Sequence, residues 1–327
     1  MPHTATRPTG VALSQVIARF GLEVVTDGGV QLDQRLVTSA EVNRPGLQWA
    51  GYSERFPTNT LQLIGRDEVG YLLTLPEPVR YARLEQYAQL GMPAVVVARN
   101  LEVRPPFIEL SRAYDIPILR TPLPTEEIAS ELAWYLAVEL APREVLHAGL
   151  VDVAGEGVLI LGRSGIGKSE TALELIRRGH RLIADDTVEV RRPSHRDLIG
   201  QAPGRQRYFM EVKGIGIVNV RLMYGVGAVK PSADVTMAVS LQVLDPDRDF
   251  ALEPDHLELL GVRVPLVTIP VRPGRNSAIL IESAAMDVRA RRTLGPRPRR
   301  PDAPYDETGE LPITRSIDQR AAVERPS

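Results

Sequence analysis

Apolar residues in the first part of the chain fall in short runs of strand length, at 22–25, 61–64 and 94–98. Ile118-Leu119 starts another just after Pro117, a position where proline is compatible with a strand. Between these runs, 11–20 and 80–90 carry helical spacing, and Gly21 and Gly91 stand where helices end. Such alternation predicts an open α/β sheet. The segment 125–140 is a further helix. Thr125 suits its N-cap, Glu126 and Glu127 suit its first turn, and Pro142 follows its end. Ile128, Leu132, Tyr135, Leu136 and Leu140 give that helix an apolar face. A domain boundary is placed at or just before it.

The second half opens with alternation at 147–153 and a turn at Gly155-Glu156-Gly157 that leads into a continuous apolar run, 158–161. A run of that kind suits a strand buried on both faces. A helix over 170–178 ends at Gly179, and a second apolar strand, 181–184, delivers Asp185-Asp186 at its C-terminal end. Further strands are predicted at 188–192, 235–243 and 266–271, a polar loop at 193–204 and a helix at 278–292. The lead-in, 1 to about 9, is loose and polar, and the tail 295–327, rich in Pro, Arg, Asp and Thr, reads as disordered. The organisation expected is an N-terminal α/β regulatory or assembly domain (9–124), a catalytic domain (125–294) and the tail.

Composition adds exclusions. With 39 basic and 41 acidic residues, nothing global points to nucleic acid or a membrane as partner. The absence of cysteine removes disulfides, thiolate nucleophiles and Cys-type metal sites. No apolar run approaches the roughly 18–20 residues of a membrane span. The N-terminus has no hydrophobic signal region, so a cytoplasmic protein is expected.

The chemistry concentrates after the buried run. Gly162, Arg163, Ser164, Gly165, Ile166, Gly167, Lys168 and Ser169 fit the phosphate-loop pattern G-x-x-x-x-G-K-[ST]. Loop glycines let backbone N–H groups converge on an anion, and the following helix turns the positive end of its dipole to the same place. Lys168 can reach the outer phosphates of a bound nucleotide, and the Ser169 hydroxyl can sit on Mg²⁺. His147 starts the strand beside the loop strand; a lone histidine is more often structural than catalytic. Glu211, beside the glycine-rich stretch 210–220, reads on its own as a solvated charge. Gly214-x-Gly216 lacks the third glycine of a dinucleotide site. Pro270-Val271-Arg272-Pro273-Gly274-Arg275-Asn276 reads as a fixed loop presenting two guanidinium groups.

Taken together, GRSGIGKSETALELIRRGHRLIADD (162–186), MEVKGIGIVNV (210–220), GVGAV (225–229) and PVRPGRN (270–276) resemble the HPr kinase/phosphorylase family. In the first domain NRPGLQWAGY (43–52) and AYDIPILRT (113–121) resemble it as well. The family acts on a serine of the bacterial phosphocarrier protein HPr. The resemblance implies a catalytic domain like that of phosphoenolpyruvate carboxykinase, a separate N-terminal α/β module, and homohexamers. It implies Mg²⁺-dependent transfer from ATP to the HPr serine. It also implies a reverse reaction in which inorganic phosphate removes that group as pyrophosphate. By position, 162–169 hold the ATP phosphates, Ser169 and Glu211 support Mg²⁺, Asp186 is the acid/base, Asp185 assists with metal or water, and His147 influences Asp186. Arg248 stands in Asp247-Arg248-Asp249-Phe250, where the family has Asp-Arg-Leu-Gly. It is carried over as the arginine that stabilises charge on the transferred group. Lys213 replaces the family's usual arginine, keeping the charge without the bidentate fork. A related kinase for another hydroxyl, or a nucleotide-binding regulator without transfer, are the alternatives.

Overall fold

The structure, a computed structural model, describes residues 6–204, 207–243, 255–272 and 276–294. Arg248, Arg275 and the tail lie outside the described residues.

The first sheet has five strands in the order Glu23–Thr26, Ile118–Arg120, Val95–Val97, Leu61–Ile64 and Val42–Asn43. The last four run parallel, and Glu23–Thr26 closes one edge antiparallel. Successive strand residues face opposite sides, and here both sides are apolar. Leu61, Leu63, Val96 and Leu119 join one core with Leu13 and Val16. Ile64, Val95, Val97 and Ile118 join the other, with Trp49, Leu84, Tyr87 and Phe107. The helix Thr125–Glu139, read from sequence as the head of the second region, buries Ile128, Leu132 and Leu136 in the first of these cores.

Some local readings change. Val11–Ala12 is a short strand paired with Leu36–Val37, and the helix begins only at Leu13. Arg66–Thr74 and Pro105–Ala113 are helices that the spacing did not separate. The lead-in is tied down at Thr6, which exchanges two backbone hydrogen bonds of 2.8 Å with Arg143.

The second sheet follows the order Arg181–Ala184, Gly149–Val153, Glu156–Leu161, Ser232–Gln242, Ile199–Gln201, Val188–Arg191 and Arg143–Leu146. Val262–Pro270 also pairs with Ser232–Gln242, in parallel, and Asp255–Leu259 pairs with Val262–Pro270. Glu156–Leu161, the loop strand, is therefore central: antiparallel to Gly149–Val153 on one side, parallel to Ser232–Gln242 on the other. This burial on all sides is what its unbroken apolar run announced.

The hairpin turn is Ala154-Gly155, not Gly155-Glu156-Gly157. Both turn residues have positive φ (54° and 94°), the two-residue turn that matches strand twist, and Glu156 already pairs with Val153. Gly157 is instead a packing glycine, since a Cβ there would run into the Asp234 carbonyl. The loop expected at 193–204 contains the strand Ile199–Gln201, which bridges its two neighbours through Gly200. Three residues between prolines and glycines are too few to show a period. No helix among the described residues is long and apolar enough to cross a membrane.

Candidate active site

Arg143–Leu146 and Val188–Arg191 are antiparallel, with Arg143 opposite Arg191 at one end and Leu146 opposite Val188 at the other. The residues just beyond that second end therefore meet: His147 Nδ1 lies 3.1 Å from Asp186 Oδ1. Asp186 has a φ of 64°, where the chain turns from Arg181–Ala184 into Val188–Arg191. Aspartate is among the few side chains that tolerate this left-handed region.

Lys168 is the first residue of the helix Lys168–Arg177, two residues earlier than the spacing suggested. Its stem is buried. Its Nζ lies 3.1 Å from His147 Nε2 and donates to the Gly162 carbonyl at 3.2 Å. An ammonium can only donate, so His147 accepts at Nε2 and carries its proton on Nδ1, facing Asp186. One imidazole thus links the phosphate-loop lysine to the acid/base candidate.

The loop has the features of an anion cradle. Gly165 and Gly167 have φ of 75° and 109°, open to glycine and costly for other residues. Gly162, at 153°, also lies against Ile166 and the Leu241 carbonyl, so a side chain there would have no room. Ile166 is the loop's buried anchor, whereas Arg163, Ser164 and Gly165 are exposed. No side chain caps the helix that follows. Its first N–H groups, at the positive end of the dipole, are therefore left for an anion.

The second aspartate faces the other way. Ser169 Oγ donates to Asp185, at 3.0 Å from Oδ1 and 2.9 Å from Oδ2, and the Glu211 N–H donates to Oδ2 at 3.3 Å. Burial raises the Asp185 carboxyl above its ordinary range, and the neighbouring Asp186 charge adds to the rise, against the lowering effect of those hydrogen bonds. Glu211 is an exposed residue of the hairpin Phe209–Val212/Gly216–Asn219, and its backbone makes the contact. Among the described residues no three His, Asp or Glu side chains form a metal cage. Mg²⁺ needs none: it is typically held by one or two protein oxygens together with phosphate oxygens and water. The hydroxyl and carboxylate of Ser169 and Asp185 are hard oxygens at the helix start and fit that ion.

The structure thus brings His147, Lys168, Ser169, Asp185, Asp186 and the Glu211 backbone to one place. Arg272 lies two residues beyond the strand Val262–Pro270. One supporting pair escaped the sequence reading. Asp152, in the strand next to the loop strand, accepts from Lys230 Nζ at 2.8 Å and from the Gly155 N–H at 2.8 Å. Burial is the largest effect on its carboxyl and raises it, but those two bonds together with the charges of Lys230 and Arg181 hold it below the ordinary range. An aspartate inside the buried strand GLVDV was the available signal.

Comparison with known proteins places the chain in a family. Residues 11–136 match the family model for the HPr Serine kinase N terminus, and 138–296 that for the HPr Serine kinase C-terminal domain. The HPr kinase/phosphorylase of Geobacillus thermodenitrificans is 41% identical over 285 residues, 86% of this chain and 92% of the relative. That of Caldanaerobacter subterraneus subsp. tengcongensis is 42% identical over 282 residues, 85% of this chain and 92% of the relative. The solved HPr(Ser) kinase/phosphatase of Coxiella burnetii is 35% identical, covering 46% of this chain and 92% of that one with a TM-score of 0.42. The chain belongs to the HPr kinase/phosphorylase family.

Proposed function

We propose that this chain transfers the γ-phosphoryl group of ATP to a seryl hydroxyl of HPr and, in reverse, uses inorganic phosphate to remove it as pyrophosphate. The observation that carries this reading is the hydrogen-bonded series Asp186–His147–Lys168 beside an uncapped helix start.

Phosphoryl transfer needs in-line placement and charge neutralisation more than covalent chemistry. The N–H groups of 162–169 hold the phosphates, and Lys168 exchanges its bond to the Gly162 carbonyl for phosphate oxygens. Mg²⁺ would be held by Ser169 and Asp185, with Glu211 beside them, and supplies charge neutralisation when bound. Asp186 keeps Oδ1 on His147 and accepts the seryl proton on its other oxygen as the serine–phosphorus bond forms and the bond to ADP breaks. In the reverse direction inorganic phosphate occupies the loop and attacks the phosphoserine phosphorus. Asp186 returns the proton to the serine oxygen as that bond breaks, and pyrophosphate leaves. One anion cradle serves both directions because each holds a phosphate oxyanion against the same donors. Arg248 stabilises charge on the transferred group.

The exposed apolar side chains Ile215, Ile217, Leu222, Met223 and Val226 support the expected homohexamer. The direct test combines purified protein, labelled ATP, Mg²⁺ and HPr. Label on an HPr serine, released as pyrophosphate on adding phosphate, agrees with the proposal. ATP binding without label on HPr overturns it.

A further inference from the structure

Two long helices start at the same edge of the second sheet. Glu156–Leu161, Ser232–Gln242 and Val262–Pro270 are parallel, so their C-terminal ends share that edge. The phosphate loop and the helix Lys168–Arg177 follow the first of them. Arg272, Asn276 and the helix Ser277–Leu294 follow the third. Asn276 Oδ1 accepts the Ala278 N–H at 2.9 Å and so closes the start of that helix. Arg181–Ala184 runs antiparallel to Gly149–Val153, as Glu156–Leu161 does, and returns Asp185 and Asp186 to the same edge.

The chain reverses between the phosphate-loop helix and the acid strand at Arg178-Gly179-His180, on the opposite edge. Gly179 takes a φ of 98°, and the His180 N–H bonds back to the Leu175 carbonyl at 3.1 Å. The side chains on either side of the glycine converge on one carboxylate of the other helix. Arg178 donates through Nε to Glu282 Oε1 at 2.8 Å and through Nη2 to Oε2 at 2.7 Å. His180 Nε2 donates to Oε1 at 2.8 Å. The Glu282 and His180 side chains are 16% and 13% exposed. The Arg178 guanidinium chiefly, and then His180, hold the Glu282 carboxyl below its ordinary range against the raising effect of burial. A two-bonded guanidinium fixes angle as well as distance, which a single surface ion pair does not.

This clasp touches none of the reacting groups. At 1.5 Å per residue, Arg178 stands roughly 15 Å along its helix from Lys168, and Glu282 roughly 8 Å along its own from Ser277. It joins two rods whose near ends carry the phosphate loop and the turn with Arg272.

We propose that Glu282 is a positioning residue: its clasp on Arg178 and His180 sets the spacing between the phosphate loop and the turn that carries Arg272, and so the alignment of the groups that meet in phosphoryl transfer. The spacing stands on the clasp alone; the effect on transfer rests on the function proposed above.

The test pairs a distance with a rate, both on the full chain. The chain has no cysteine, so Glu170→Cys and Ile279→Cys place one nitroxide label on each helix, and electron spin resonance reads their separation without turnover. Glu282→Gln, which keeps the shape and removes the charge, should shift or broaden that separation. An unchanged separation overturns the clasp as a spacer. Transfer is measured well below the melting temperature of each variant. A misplacement of about 1 Å can cost about 100-fold, so Glu282→Gln should lower the turnover number about 10- to 100-fold. The KM for ATP should stay within about twofold, because every donor of the loop remains. Arg178→Lys, which keeps the charge and loses the fork, should lower turnover as well. In an Arg272→Ala background Glu282→Gln should cost little more, because the two act through one turn. Additive losses, a loss confined to KM, or a turnover number within twofold of the unaltered protein overturn the positioning role. An unaltered chain that labels no HPr refutes the proposed activity, while the label separation still decides the clasp.

Discussion

His147→Ala isolates the imidazole that joins Lys168 to Asp186. The substitution removes an N–H donor 3.1 Å from the Asp186 carboxylate and one of two protein partners of Lys168. A hydrogen bond to a charged group contributes about 1.5–3 kcal/mol. The side chains are 51% and 61% exposed, so water replaces part of the lost bond in the free protein. The lower end applies there, and the upper end once substrates exclude water. At 1.36 kcal/mol per factor of ten, the turnover number should fall roughly 10- to 100-fold. Lys168 keeps the Gly162 carbonyl, so the KM for ATP should change less than about threefold, as expected for an interaction realised mainly in the transition state. Single-turnover transfer of label from ATP to HPr measures the effect, with a thermal melt to verify folding. A turnover number within twofold of the unaltered protein, or a loss confined to KM, would refute the reasoning.

Other consequences are independent of the reaction. Gly157→Ala drives a Cβ into the Asp234 carbonyl, an atom fixed by sheet pairing. It should cost about 3 kcal/mol, read as a lower denaturation midpoint at unchanged slope. Arg191, 8% exposed, pairs with Glu189 at 2.7 Å and Glu139 at 3.0 Å. Arg191→Met strands the Glu189 charge and should destabilise by roughly 3 kcal/mol, the lower end for a broken buried pair because Gln201 and Arg143 remain beside it. That deficit should itself depend on pH. Burial raises the Glu189 carboxyl, yet Arg191, with help from Gln201 and Arg143, holds it below its ordinary range. A depressed carboxylate contributes stability above its unfolded pKa and loses it as pH falls through the folded value. The gap between variant and unaltered protein in urea melts should therefore be full at pH 7 and narrow below about pH 4.

Much of this was legible in the chain because the informative signals are local. The run Val158 to Leu161, the loop glycines, the helix and the second strand occupy consecutive residues, so their order gave the cradle before any fold was known. Gly21 and Gly91 stand just beyond helices Leu13–Phe20 and Glu77–Gln89, as expected. What failed to show was non-local. His147 was linked to Asp186 by the family resemblance alone, since the strand pairing that joins them has no sequence signature. Glu211 reaches Asp185 by its backbone, which no side-chain argument anticipates. Ala154 takes a left-handed conformation usually left to Gly, Asn or Asp, so the turn was read one residue late. The helix Thr125–Glu139 has a clear apolar face, but the period does not say which sheet that face will cover.

The central claim is that Asp186 exchanges the proton in both directions, and Asp186→Asn tests it most directly. Asparagine tolerates the φ of 64° and still accepts the His147 proton through its carbonyl oxygen, so the fold and the cradle should persist. Equilibrium ATP binding and transfer in both directions should be measured on the same sample. ATP affinity within about threefold, with phosphorylation of HPr and its reversal each reduced at least 10³-fold, well within the usual range for a lost general base, is the outcome predicted. Transfer near the unaltered rate would contradict it.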